Sequence, residues 1–284
     1  MVPNQDGKPV RGNRSGIVPF ATLYAVTGVL ALVFASREFF LWREMNAPLL
    51  LGTVALAAAV LLHAWRTASA RNALLFFGLA CGIPLAAEYT GIHWGIPFGV
   101  RFRYHADLQP RLLGCVPLFI PLAWLVLAYS PIVLLRQWRP AHSRSMRRWL
   151  LKSVSAAAML CIADFSLDPL AVAVQAWTWE QPGAYFGIPA SNYWGWFVVG
   201  LTIYGLFFMF ERPAAPCSPA VLLRHDRYFV AVAVFLTFAG HFALVRHVPG
   251  GAWVIPVTAV TSAPGLIFWA SHRDSESDAS GRIQ

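Results

Sequence analysis

The sequence predicts an all-α integral membrane protein, a polytopic helical bundle of about eight transmembrane helices. Three observations carry that prediction. Of 284 residues, 57% are hydrophobic and only 12% are charged, where soluble domains carry about 25% charged residues. The apolar residues fall in runs of about twenty, the length that crosses the hydrocarbon layer as a helix. The basic residues sit in short segments between those runs, as in loops that orient a bundle.

Residues 1–16 are polar and rich in Gly, Pro and basic side chains, and read as a disordered tail. The apolar run 17–35 exceeds the roughly 7–15 residues of a signal-peptide core and reads as the first span. Further spans are expected at 47–65, 73–88, 112–135, 149–170, 193–210, 228–245 and 251–270. The third is the shortest. Residues 17–271 then form one transmembrane domain, and 272–284 a polar C-terminal tail. With eight spans, the two tails and the even-numbered loops share one side. That side holds sixteen of the 22 Lys and Arg, counting Lys152. The bias places both termini in the cytoplasm and turns the loops 89–111 and 177–192 outward.

The net charge of +9 has no basic face or recognition motif behind it, so no nucleic-acid partner is expected. Four scattered cysteines without a C-x-x-C read as packing residues, not as metal ligands or a disulfide framework. No H-E-x-x-H, phosphate-binding loop, dinucleotide fingerprint or G-x-S-x-G occurs. No metal and no cofactor is expected.

The two outward loops carry the same phrase. "EYTGIHWGIP" starts at Glu88 and "EQPGAYFGIP" at Glu180. Each has an acid, a Gly three places on, then an aromatic followed by Gly-Ile-Pro. The Gly-Ile-Pro reads as a turn that folds the loop back over the bundle. By depth, Glu88 matches Asp164 instead, because each lies fifteen residues beyond the start of its expected span, about 22 Å along a helix. Both matches are compatible with an internal duplication.

Glu88, Asp164 and Asp168 stand within or beside apolar runs, where an ionised acid costs about 2.5–3.5 kcal/mol to insert. Such residues face the bundle interior and either act or pair. Glu180 lies on a loop, and Asp107 has Arg101, Arg103 and Arg111 nearby as partners. "DFSLDP" sets Asp164 and Asp168 at i and i+4 on one helical face. Two carboxyls that close repel, so one holds a proton and serves as a general acid while its ionised neighbour accepts one. Pro169 is expected to limit the helix just after them. The D-x-x-x-D spacing also suits Mg²⁺ on a diphosphate, but the second acidic cluster such chemistry needs is missing. His93, His105 and His241 read as bystanders or structural hydrogen-bonders. Aromatics crowd the acids, among them Phe98, Phe102, Tyr104, Trp177, Trp179, Tyr185 and Trp196. The interfacial belt accounts for part of this, and the same clustering would also suit shielding of a cation, the two readings staying open.

Glu88 to Trp124 resembles the first signature of the carotenoid biosynthesis protein family, whose members include carotenoid 1,2-hydratases. Asp164 to Phe197 resembles the second, D-x-x-x-D-P, then W-x-W, then G-x-Y-F-G-I-P-x-x-N-x-x-G-W. The resemblance implies addition of water across the terminal double bond of an acyclic carotenoid, giving a tertiary alcohol without organic cofactor or redox partner. It places the chain in the cytoplasmic membrane of a bacterium or archaeon. Its partners are then membrane lipids, the lipophilic substrate, water and other enzymes of the carotenoid pathway. Glu88 and Asp164 are expected as acid and base, with Asp168 tuning Asp164. Asn192 and Tyr104 are expected to position water. Trp177 and Trp196 are expected to line the end-group pocket, with Trp124 and Tyr185 as further substrate contacts. Two alternatives remain open: an end-group cyclase, and a non-catalytic binder of carotenoids or other isoprenoid lipids.

Overall fold

The computed structural model describes residues 46–135 and 145–212, and Asp226. The expected spans 17–35, 228–245 and 251–270, and both tails, lie outside the described residues. Within them the protein is predominantly helical. The order is α1 (Asn46–Thr67), α2 (Ala70–Trp94), β1 (Phe102–Tyr104), β2 (Arg111–Leu112), β3 (Val116–Pro117), α3 (Phe119–Leu135), α4 (Met146–Ala173), β4 (Trp177–Trp179) and α5 (Ala190–Phe210). Four helices, α1, α2, α4 and α5, are long and apolar enough to cross a membrane, and α3 is a shorter apolar helix of 17 residues.

Apolar side chains from all five helices meet in one core, with Phe76, Trp124, Leu125, Leu160, Ile203 and Tyr204 almost fully enclosed. α4 packs most extensively on α5, while α3 touches α1, α2 and α4. Ser69 opens α2 by accepting a hydrogen bond from the backbone N–H of Asn72. Gly95 closes it in the left-handed conformation, φ 76°, with its N–H on the Gly91 carbonyl. The second Gly-Ile-Pro also has a left-handed Gly, with Gly187 at φ 80°. There the phrase leads into a helix, because Pro189 caps the start of α5.

Two expectations are corrected. The span expected from 112 begins only at Phe119, and residues 111–117 fold into a hairpin, β2 on β3. A short apolar run bounded by Pro110 and Pro117, with Gly114 inside, satisfies hydropathy either as helix or as strand; the left-handed Leu113 and Gly114 decide for the turn. Pro169 does not end α4, which continues to Ala173. Proline at 169 removes the N–H that would bond the Phe165 carbonyl. The hydroxyl of Tyr185 donates to that carbonyl instead, at 2.8 Å, so the helix crosses its proline without an orphaned acceptor.

β1 and β4 form an antiparallel ribbon that joins the loops 89–111 and 177–192, with Phe102 opposite Trp179 and Tyr104 opposite Trp177. Alternation along the strands puts these four aromatics on one face and Arg103 with Thr178 on the exposed face. The ribbon thereby roofs one end of the helix bundle.

Candidate active site

Beneath the ribbon lies a cavity whose wall draws on every element around it. α2 supplies Glu88, α4 supplies Leu167 and Asp168, and α5 supplies Asn192 and Trp196. α3 contributes a single face, Ile120, Ala123, Trp124 and Leu127, at helical spacing. The roof adds Phe102, Tyr104, Trp177 and Trp179, and the connecting loop adds Phe98. The cavity core leaves about 40 Å³ to the centres of water-sized spheres, against the ~10–15 Å³ that one water needs by that measure. Water therefore fits here beside apolar surface.

Two acids reach this wall from different helices. Glu88, 5% exposed, is held at both oxygens. The Trp124 indole N–H donates to Oε1 at 2.9 Å and the Tyr104 hydroxyl donates to Oε2 at 2.7 Å. Burial, and then the adjacent Glu88 charge, push the Tyr104 phenol well above its ordinary range. It stays protonated and remains a donor. Trp124 also stacks on Trp196, with ring centroids 3.8 Å apart and planes 19° from parallel. One indole thus fixes the carboxyl and builds the aromatic wall.

The second acid site is the pair on α4. Asn192 donates its amide N–H groups to Oδ2 of Asp164 at 3.0 Å and to Oδ2 of Asp168 at 2.5 Å. The two carboxyls are thereby clamped side by side, both buried. They are not equivalent: Asp168 lines the cavity and Asp164 stands behind it. Among the described residues, Asp164 Oδ1 and the Trp179 indole N–H are buried without a hydrogen-bond partner.

The structure brings together most of the residues singled out in the sequence, in altered positions. Glu88, Asp168, Tyr104, Trp124, Trp177, Asn192 and Trp196 share the cavity wall. Asp164, expected as acid or base, is not on it. Tyr185, expected at the substrate, is not on it either, and puts its hydroxyl on the Phe165 carbonyl. Tyr104 and Asn192, expected to position water, spend their donors on carboxyls. Leu167 and the α3 residues Ile120, Ala123 and Leu127 carry no chemical group that a sequence search detects; their spacing on one helical face is their only signal.

The remaining charges lie apart from the cavity. Glu180 is part of an exposed cluster, 2.9 Å from Arg101 and 3.2 Å from Arg103. Asp107 lies 3.7 Å from His105. Arg111 donates to the carbonyls of Leu108 and His105. Among the described residues no three His, Cys, Asp or Glu side chains converge as a metal-binding set.

Comparison with known proteins bears on this geometry. A family model described as carotenoid biosynthesis protein matches residues 45–263. Over 128 residues the chain is 38% identical to bisanhydrobacterioruberin hydratase of Haloarcula japonica. That match covers 44% of this chain and 41% of the relative, so the chain spans about two fifths of the length of the curated relative it matches. No solved structure matches the chain.

Proposed function

The chain belongs to the carotenoid biosynthesis protein family, and from that premise we propose that it hydrates the terminal double bond of an acyclic carotenoid. The observation that carries this reading is the meeting of two acids from different helices, Glu88 and Asp168, on one buried aromatic cavity. A carotenoid dissolves in the bilayer, so its end group reaches carboxyls set within the helices.

The reaction starts at Asp168. Its carboxyl gives a proton to the end-group carbon that bears hydrogen, and the π electrons of the double bond form the new C–H bond. The adjacent carbon becomes a tertiary cation. The faces of Trp177 and of the Trp124–Trp196 pair stabilise it through their quadrupoles. Glu88, oriented by Trp124 and Tyr104, takes a proton from a water molecule as its oxygen bonds to the cation. The Trp179 indole N–H, buried and unpartnered among the described residues, belongs to the same wall and supplies a donor to orient that water. The product is a tertiary alcohol, and water is the sole co-reactant.

Expression in a bacterial host that makes lycopene, followed by pigment mass analysis, tests the reading. A product heavier by one water supports hydration. A new pigment of unchanged mass assigns the cavity to cyclisation, and bound, unaltered pigment assigns it to carotenoid binding.

A further inference from the structure

Hydration at Glu88 and Asp168 leaves Asp164 without a surface to act on. It is fully buried, as far along α4 from Met146 as Glu88 is along α2 from Ala70, and it is absent from the cavity wall. Yet Asn192 locks it beside Asp168, and its Oδ1 is buried without a partner among the described residues. A second polar atom nearby shares that condition. The Tyr193 hydroxyl is buried and unpartnered among the same residues, within electrostatic reach of Asp164 and Asp168.

Unpaired buried polar atoms cost on the order of 1–3 kcal/mol each, and native folds relieve that cost with protein groups or bridging water. One bridging water would satisfy both a carboxyl oxygen and a phenol hydroxyl. The surroundings hold the phenol firmly. Tyr193 lies flat on Phe165, with centroids 4.0 Å apart and planes 5° from parallel, and Phe165 follows Asp164 directly in the chain. Tyr185 packs edge-on against both rings at 5.9 and 6.0 Å. Tyr185 is half-buried in the loop before α5, and its phenol is pushed up by burial and then by the Asp164 charge. The rings of Tyr185, Phe165 and Tyr193 thus form one cluster beside the clamped Asp164–Asp168 pair.

We propose that Asp164 and Tyr193 form a proton-supply station that recharges Asp168 from the outer aqueous face, past Tyr185. The station rests on the hydratase reading and extends it. When Asp168 gives its proton to the substrate carbon, Asp164 passes its own proton across the clamped pair. A water held between Asp164 and Tyr193 then gives a proton to Asp164 and takes one in turn from the outer aqueous phase. The proton that Glu88 took from the attacking water returns to solvent and balances the cycle. Asp164 and Tyr193 are positioning residues here, since neither touches substrate.

The test uses the full chain in native membranes with an acyclic carotenoid. Tyr193→Phe keeps the ring stack on Phe165 and removes only the hydroxyl. Its kcat is expected to fall about tenfold, with KM unchanged, a larger solvent deuterium effect on kcat, and partial recovery on adding imidazole. Asp164→Asn is expected to move the same quantities in the same directions, and it decides the matter if Tyr193→Phe does not accumulate. Two results overturn the station. One is kcat and isotope effect within roughly twofold of the unmodified chain in both variants. The other is a fall in activity without a larger isotope effect or recovery by imidazole. If the unmodified chain yields no hydrated product, the hydratase reading fails and takes the station with it. Hydration by the unmodified chain with insensitive variants removes the station alone.

Discussion

The Trp124 indole N–H donates to Oε1 of Glu88 at 2.9 Å across 36 residues of sequence. This bond ties α2 to α3 at the cavity wall, and its donor ring is the one stacked on Trp196. Trp124→Phe separates the two tasks, because it retains a ring for the stack and removes the N–H. A hydrogen bond to a charged group contributes about 1.5–3 kcal/mol, so hydration is expected to slow by about 10- to 100-fold. The chain should still accumulate in membranes and bind pigment. Steady-state kinetics beside the bound-pigment spectrum check both parts, and an unchanged kcat would remove Trp124 from the orientation of Glu88.

Glu88→Gln and Asp168→Asn preserve shape and abolish proton transfer at the two cavity acids. Each is expected to lower kcat by about 10²- to 10⁴-fold, the usual contribution of a positioned acid or base. Asp164→Asn should cost less than Asp168→Asn, because Asp164 stands behind the wall. Parallel assays of the three variants order them, and equal losses at 164 and 168 would contradict the division of the pair.

Phe98 is wedged between two helices at glycines. A Cβ added at Gly195 on α5 would lie 2.5 Å from Phe98 Cδ1 and 3.0 Å from its Cα, and one at Gly91 on α2 would lie 2.7 Å from Cδ2. Phe98 is 2% exposed and has little room to retreat. Gly195→Ala is therefore expected to lower stability by about 1–3 kcal/mol through overpacking. The loss should appear as a lower thermal transition in detergent, and an unshifted transition would mean that the loop yields freely.

Glu180 gives the opposite expectation. Its partners Arg101 and Arg103 are 54% and 78% exposed, and exposed ion pairs contribute about 0–1 kcal/mol. Glu180→Gln should leave hydration unchanged and shift the thermal transition little. A large loss of activity would show that the repeated phrase marks two working acids.

The depth of the acids was legible in the sequence for a simple reason. Helical rise per residue is constant, so counting along two apolar runs places Glu88 and Asp164 at matching levels before any fold is known. The same holds for Asp164 and Asp168 on one helical face. The ribbon was half legible. F-x-Y and W-x-W alternate as strands do, but inside loops of a helical protein that alternation gives no partner. The pairing of β1 with β4 joins segments some 75 residues apart, and nothing local specifies it. The hairpin at 111–117 was read as helix because hydropathy averages over composition and ignores the left-handed turn at Leu113 and Gly114.

Composition and hydropathy by themselves determined that the chain is a helical membrane protein. Residue counting sets Glu88 and Asp164 at matching positions along their helices, because backbone geometry repeats along the chain whatever surrounds it. Tertiary packing decided the rest. Residues at i and i+4 differ by about 40° and 6 Å on a helix, and sequence does not show which of the two turns toward a cavity built by other segments. The packing of α4 against α5 and α3 settles it. Asn192 clamps both carboxyls, and of the two only Asp168 lines the space shared with Glu88.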